Sequence, residues 1–522
     1  MKDARRRPHL FAAHIDIRRL LIGIVAVLIT TAASGATTPT PAEAERALSR
    51  AVTFFHRRVA VHGGYVWQTS GDLSLRAGEG RAGKTLIWVQ PPGTPTVGEA
   101  FLDAYDATSD RLHLDAARDA GHALVLGQRH SGGWFYSVEF DPRRRAAISY
   151  RCDVDWRRTP SPSSTRDRRS GDGWEAWKRR RYRGNLTILD DDTTQSALRF
   201  LMRLDKALDF KDKRVHEATK YGLTSVLNAQ YPNGAWSANY DRFPEKPPRP
   251  KRYPVKKASY PETWSRTWPK DFTGCYVLND NVVPDMIVTL LRAHEIYGDR
   301  RYLDSARKAG DFLILAQMPD PQPAWAQQYD RDMHPVWDRA FEPPAISGAE
   351  SQTVLDVLMK LYRVAPDRRY LDAVGRALVY LDRSQLPAGR LARFYELKTN
   401  RPLYFARDRN RRYRLTYEAD RLPTHYAFVV GSRLDTLETK HRHLRAMSAA
   451  ELRRHTDRPT EPVTPALRRR VGDIINSMDT RGAWVERGHL KAHKTEPASG
   501  IIDSRIFARN VRILADWIRR SR

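Results

Sequence analysis

Cysteine is nearly absent from this chain: Cys152 and Cys275 are the only two in 522 residues. Such a sequence holds no zinc-type cysteine cluster, and at most one disulfide; two separate thiols fit it equally well. Its 16 histidines form no HExxH pair, and no Gly-x-Ser-x-Gly elbow occurs. Zinc-protease and serine-esterase chemistry therefore lack their residues. Beyond the N-terminus, no run approaches the roughly 20 apolar residues that span a bilayer. Negative charge is scarce as well, with 61 acidic residues against 89 Lys and Arg, a net +28. That balance predicts an anionic partner: nucleic acid, an anionic membrane, or an acidic polymer such as a polyuronate. Composition does not choose among them.

The N-terminus narrows the choice. Arg5 to Arg7, Arg18 and Arg19 precede LLIGIVAVLITTAASGA, so residues 1–36 read as a signal peptide cleaved near Ser34-Gly35-Ala36, or as a retained signal anchor. Both readings predict export to the periplasm or beyond, with membrane contact only through an uncleaved anchor. Export argues against nucleic acid as the partner. The 13 tryptophans suit a surface that stacks on sugar rings or bases.

The rest of the chain repeats itself loosely. VGEAFLDAYDATSDRLHLDAARDAGHALVLGQRHSGGW reads as a helix, an Asp-containing turn, a second helix, then Gln and Gly-Trp. The segments beginning DDTTQSALRF, NDNVVPDMIV and SQTVLDVLMK do the same. Apolar residues recur at helical spacing, as in Leu198, Leu201, Met202 and Leu204. Repeated hairpins bury their faces against neighbours. Uneven insertions after the Gln-Gly-Trp edge predict an all-α fold, an α/α toroid with a substrate groove at the insertion end. The toroid is expected over 40–435, with 440–522 as a linker and C-terminal helices that complete it. Two insertions, 141–185 and 243–270, are rich in Arg, Lys, Pro and Trp; they read as solvated loops or as a cationic, aromatic rim for a sugar polyanion.

Asp190-Asp191-Asp192-Thr193-Thr194 and Asn279-Asp280-Asn281 each stand where a hairpin begins. One such side chain suffices as an N-cap. Three in a row also suit Ca2+, which takes six to eight oxygen ligands.

Five segments, in order, resemble the pectic acid lyase family, the pectate lyases of polysaccharide lyase family 10, best over residues 190–395. The two acidic clusters resemble its Asp-Asn-x-Ala-Thr and Asn-Asp-x-Ala-Met segments. Gln230 to Trp236 (QYPNGAW) resembles Gln-Tyr-Pro-Asn-Gly-Gly-Trp, and Trp325 to Asp330 (WAQQYD) resembles Trp-x-x-Gln-His-Asp. Asp338 to Ser351 (DRAFEPPAISGAES) resembles Ala-Arg-Ala-Tyr-Glu-x-Pro-Ser-x-Ser-Gly-Ser-Glu-Ser.

The resemblance implies a polyuronate lyase acting by β-elimination. It makes Arg339 the Brønsted base on a Pro-stiffened segment, and Asp190, Asp191 and Asp280 the candidate ligands of Ca2+. Asn279, Trp236, Trp325, Gln328, Asp330, Glu342 and Glu350 become candidates for contact with the acidic polysaccharide. The chain departs from the pattern at Tyr329, Thr193 and Asp191, which stand where the family has His, Ala and Asn. Arginine is an unusual base, with a pKa above 12, and an ion pair of Arg339 with Glu342 or Glu350 is the competing reading. Two rival functions remain: a two-carboxylate glycoside hydrolase on a similar toroid, for example with Asp191 and Glu350, and a polyuronate-binding protein without catalysis.

Overall fold

A computed structural model of the chain describes residues 39–153, 184–270, 275–410, 412–454 and 463–522. The proposed leader, 1–36, and much of the first insertion lie outside the described residues. The periodic segments are helices: α1 (Pro41–Phe54), α2 (Thr94–Thr108), α3 (Arg111–Gly127), the short α4 (Pro142–Arg145), α5 (Thr193–Ala207), α6 (Lys213–Asn228), α7 (Val282–Tyr297), α8 (Arg300–Ala316), α9 (Glu350–Val364), α10 (Arg368–Arg383), α11 (Leu434–Ala446), α12 (Ala449–Arg454), α13 (Pro465–Asn476) and α14 (Ser504–Ser521). The Asp-containing turns cap second helices: Asp110, Asp212, Asp299 and Asp367 accept the backbone N–H of Leu112, Arg214, Arg301 and Arg369 at 2.9–3.1 Å.

Helices α2, α5, α7 and α9 pack side by side as an inner layer, and their outer partners are α3, α6, α8 and α10. Helix α14 joins the inner layer against α2 and also packs on α1. Helix α11 rests on α9 and α10, and α13 on α14 and α1. The inner helices surround one cavity of about 850 Å³, reached by Glu99, Arg199, Leu291, Lys360 and Arg512. This is an α/α toroid.

Short antiparallel strand pairs cover the end at which inner helices begin. The strand before an inner helix pairs with the strand that follows its outer partner. Thus Leu86–Trp88 pairs with Ser137–Glu139, Thr187–Ile188 with Asn239–Tyr240, Tyr276–Val277 with Gln328–Tyr329, and Ala345–Ser347 with Phe394–Glu396. Gln68–Ser70, just after α1, pairs with Ile501–Asp503, just before α14. The two ends of the described chain therefore meet in one hairpin unit.

The Gln and Trp of each repeat edge hold the ring together. Gln128, Gln230 and Gln317 each donate twice through Nε2. One bond goes to their own loop (Gly132, Gly234 and Pro323 carbonyls) and one to the next outer helix (Ala218, Ser305 and Ala373 carbonyls), all at 2.8–3.0 Å. The indole N–H groups of Trp134, Trp236, Trp325 and Trp484 donate to carbonyls in the last turns of α3, α6, α8 and α13 at 2.7–2.8 Å. Those carbonyls have no partner within the helix.

Two further sequence features resolve plainly. Cys152 is exposed and Cys275 buried, and no disulfide joins them. Gly78 to Thr85 (GEGRAGKT) has the spacing of a phosphate-binding loop, yet it runs into the strand Leu86–Trp88 and so offers no helix N-terminus. No helix of the described residues is long and apolar enough to cross a membrane.

Candidate active site

The two acidic clusters have one backbone design. Each follows a two-residue strand and a leucine, makes a single 3-10 turn, and enters an inner helix, α5 or α7. The second and third residues are left-handed in both: Asp191 (φ 51°) and Asp192 (φ 56°), Asp280 (φ 48°) and Asn281 (φ 62°). Asp and Asn tolerate this region better than other side chains. Four such residues facing one another mark a segment shaped for its side chains rather than for economy of backbone.

This design brings Asp190, Asp191 and Asp280 together. One carboxylate oxygen from each lies within 4.8 Å of the other two. Gln90 Nε2 donates to Asp191 Oδ2 at 2.9 Å, and Tyr136 Oη to Asp190 Oδ2 at 3.3 Å. Burial first, then the charges of Asp280, Asp191 and Asp338, raise Asp190 well above the usual carboxylate range. Burial and Glu79 raise Asp191. Asp280 is pushed up to about 7 by burial and by Asp191, Glu342 and Glu350, against the pull of Arg339. Burial is the first cause at all three positions, and neighbouring carboxylates add to it. Oxygens bound to one Ca2+ at 2.3–2.6 Å stand at most about 5 Å apart. The three carboxylates therefore fit a hard divalent cation, with further positions left to substrate and water.

Arg339 closes one side of the cluster, its Nη2 3.7 Å from Asp280 Oδ2. Its fork is held by Glu342: Nε donates to Oε2 and Nη2 to Oε1, both at 2.5 Å. The Glu342 side chain is fully buried, whereas that of Arg339 is 43% exposed. Burial alone would lower the pKa of Arg339; the hydrogen bonds and charge of Glu342, with Asp280, outweigh it and raise the value. Tyr426 Oη donates to Glu342 Oε1 at 2.8 Å and accepts from Arg393 Nη1 at 3.3 Å. Arg393 in turn pairs with Glu350 Oε1 at 3.2 Å.

Several motif positions lie elsewhere than the resemblance implies. Trp236 and Trp325 are fully buried in the core, their indoles committed to α6 and α8, so neither stacks on a sugar. Gln328 is buried within its strand; its neighbour Gln327 reaches the site instead, donating to Asn279 Oδ1 (3.0 Å), Glu350 Oε1 (3.1 Å) and Tyr426 Oη (3.3 Å). Strand alternation makes that one-residue difference decisive. Asp330 accepts the N–H groups of Asp332 and His334 and shapes a turn. Glu350 is buried and bonded to Ser347, Gln327 and Arg393. Asn279 and Glu342 do belong to the site, but as buried supports of Asp280 and Arg339.

Asp338 is the acidic member that motif reading passed over. It accepts from Asn279 Nδ2 at 3.3 Å and is pushed up to about 7 by burial, then by Glu342 and Asp280. The signal was present, since Asp338 stands where the family motif has alanine. The 243–270 insertion braces the same segment. Trp268 Nε1 donates to the Asp338 carbonyl at 2.7 Å, and Trp337 Nε1 to the Ser265 carbonyl at 2.8 Å. Its cations are partly spent, with Lys256 on Asp332 and Arg266 on Glu396.

Comparison with known proteins adds to this geometry. The pectic acid lyase family model matches residues 318–390, the segment with Arg339, Glu342 and Glu350, so the resemblance to that family holds there and supports a polysaccharide lyase. No curated protein matches the chain. Among solved structures, it is similar to a family 10 polysaccharide lyase from Cellvibrio cellulosa, at 17% identity, 67% of this chain, 98% of that chain and a TM-score of 0.40. A mutant of that lyase in complex with trigalacturonic acid is similar at 17% identity, 66% of this chain, 98% of that chain and a TM-score of 0.40. A family 76 α-mannanase from Bacteroides thetaiotaomicron is similar at 10% identity, covering 92% of this chain and 95% of that one with a TM-score of 0.40.

Proposed function

We propose that the protein is an exported lyase that cleaves an acidic polysaccharide of the polygalacturonate kind by cation-assisted β-elimination. The observation that carries this reading is the convergence of Asp190, Asp191 and Asp280 beside the exposed guanidinium of Arg339. Elimination needs a proton removed from C5, next to the C6 carboxylate. The C5–H electrons form a C4–C5 double bond, the C4–O bond breaks, and the leaving oxygen takes a proton from water. Calcium bound to the three aspartates would draw charge from the C6 carboxylate and acidify that proton.

The chain's own residues set the stage. Asn279 Oδ1 accepts the Asp280 backbone N–H at 3.0 Å and steadies that turn, while Gln90 Nε2 holds the Asp191 carboxylate. Arg339 is the group placed to receive the C5 proton. The bonds and charge of Glu342, then the charge of Asp280, keep it protonated in the metal-free arrangement, so its action as a base requires both pulls to be offset. The hydrolase alternative loses ground, because the Glu350 carboxylate is buried and engaged by three side chains. Incubation with polygalacturonate and calcium, followed by near-ultraviolet absorbance of unsaturated ends, tests the reading. Products without a C4–C5 double bond would reverse it, as would undiminished turnover in a chelator.

A further inference from the structure

Next to Arg339 stands an arm outside the segment that matches the family model: the antiparallel strands Pro402–Arg407 and Tyr413–Thr416 and the loop that leads to Val429. Its tip brings two aromatic rings, Tyr413 and His425, into one run with Phe341. Phe341 lies 4.9 Å from Tyr413 and 5.3 Å from His425, and Tyr413 and His425 are 5.8 Å apart, centroid to centroid. His425 is exposed; Phe341 and Tyr413 are half-buried. Two arginines frame the run. Arg339 sits over Phe341 at 5.3 Å, and Arg407 over Tyr413 at 4.8 Å, also bonding the Tyr413 hydroxyl. The hydroxyl meets His425 Nε2 at 2.7 Å. Burial, then the charges of Arg407 and Arg339, hold the imidazole below its usual range, so His425 lies within reach of both cations.

A shelf kept only for packing would turn these rings inward and leave no cation at its open end. Here partly exposed rings run from the cleft cation Arg339 to a second, solvent-facing cation, Arg407. One face of a uronate ring carries C–H groups that pack on an aromatic side chain, and the carboxylate at the edge of that ring pairs with a cation at hydrogen-bond distance. We propose that Phe341, Tyr413, His425 and Arg407 form a subsite of the same cleft, which takes the uronate unit adjacent to the one at the aspartate cluster on the side away from the scissile bond. The subsite rests on the lyase reading for its substrate, not for its geometry.

The test compares Tyr413→Ala and Arg407→Gln with the unmodified protein, using galacturonate dimers and hexamers with calcium. An aromatic contact or an exposed charged contact is worth about a tenfold change. The kcat/KM on the hexamer should therefore fall about tenfold in each variant while the dimer's is unchanged. Equal losses on both oligomers, with a lowered Tm, would make the arm a packing element and overturn the subsite; so would no loss on either. Tyr413→Phe keeps the ring and should keep most of the hexamer advantage. Affinity electrophoresis through polygalacturonate gives a readout without turnover. If the unmodified protein is retarded but cleaves nothing, the lyase reading falls. The subsite then stands only if Arg407→Gln and Tyr413→Ala reduce that retardation.

Discussion

Replacing Asp280 by asparagine separates the charge of the cluster from its shape. Asparagine accepts the left-handed backbone at this position (φ 48°) and keeps the side-chain volume. In the metal-free protein Asp280 titrates near 7 rather than 3.8, because burial and its acidic neighbours disfavour the ionised form. A raised carboxylate contributes its stability fully below about pH 4 and loses it as pH climbs through 7. The displacement is worth about 4 kcal/mol at most, and partial solvent access lowers this to about 2 kcal/mol. Without metal, the unmodified protein should thus be less stable at pH 8 than at pH 5. Asp280→Asn should flatten that slope and be the more stable of the two at pH 8. Calcium should do the opposite. At a hundredfold excess over its Kd it should stabilise the unmodified protein by about 2.7 kcal/mol and Asp280→Asn by far less. Urea unfolding at both pH values, with chelator and with calcium, reads all four states. The reasoning fails if Asp280→Asn is the weaker protein at pH 8 in chelator, or if calcium stabilises it as well as the unmodified one.

Arg339→Lys keeps a positive charge against Glu342 but loses the two-pronged fork; kcat on polygalacturonate should drop at least about a hundredfold, and retained turnover would remove Arg339 from the chemistry. Trp236→Phe gives up the indole bond to the Val226 carbonyl and part of a filled core site, so unfolding should cost about 2 kcal/mol less while KM holds; a raised KM with unchanged stability would return Trp236 to the sugar. Arg199 holds Asp192 Oδ2 at 2.5 Å and Thr289 Oγ1 at 3.0 Å, tying the first acidic turn to α7. Arg199→Gln should weaken calcium binding in calorimetry several-fold, and unaltered affinity would show that the turn holds its shape alone.

The acidic turns were legible because a cap needs one oxygen-bearing side chain and these segments supply three. The motif around Arg339 was legible too, with Glu342 among the two partners expected for its guanidinium; the burial of Glu342 came only with the fold. The repeat edge misled in an informative way. Gln and Gly-Trp recur at the groove end of each hairpin, which looks like a row of sugar contacts, yet Trp236 and Trp325 fasten helix ends and Gln230 staples neighbours. Sequence periodicity marks what repeats, and here the ring itself repeats. Tyr426, Tyr413 and His425 belong to an arm with neither helical period nor motif, so nothing before the fold placed them beside Arg339.

Those staples have a consequence for how such a ring can change over time. The joints α3 to α6, α6 to α8 and α8 to α10 are each bridged by one glutamine amide reaching two carbonyls, and the ends of α3, α6, α8 and α13 each meet one indole. Neither device includes an atom from the strands' long connections, so a connection can lengthen from a few residues to the span of 243–270 without loosening a joint. Loop closure adds only about 0.6 kcal/mol for each doubling of length. The joints of the wall thereby do not depend on the tooling that stands on it, even where that tooling packs inward through Tyr253 and Ala258. New arms can be tried at the rim of a finished vessel, one at a time, with the vessel never taken apart.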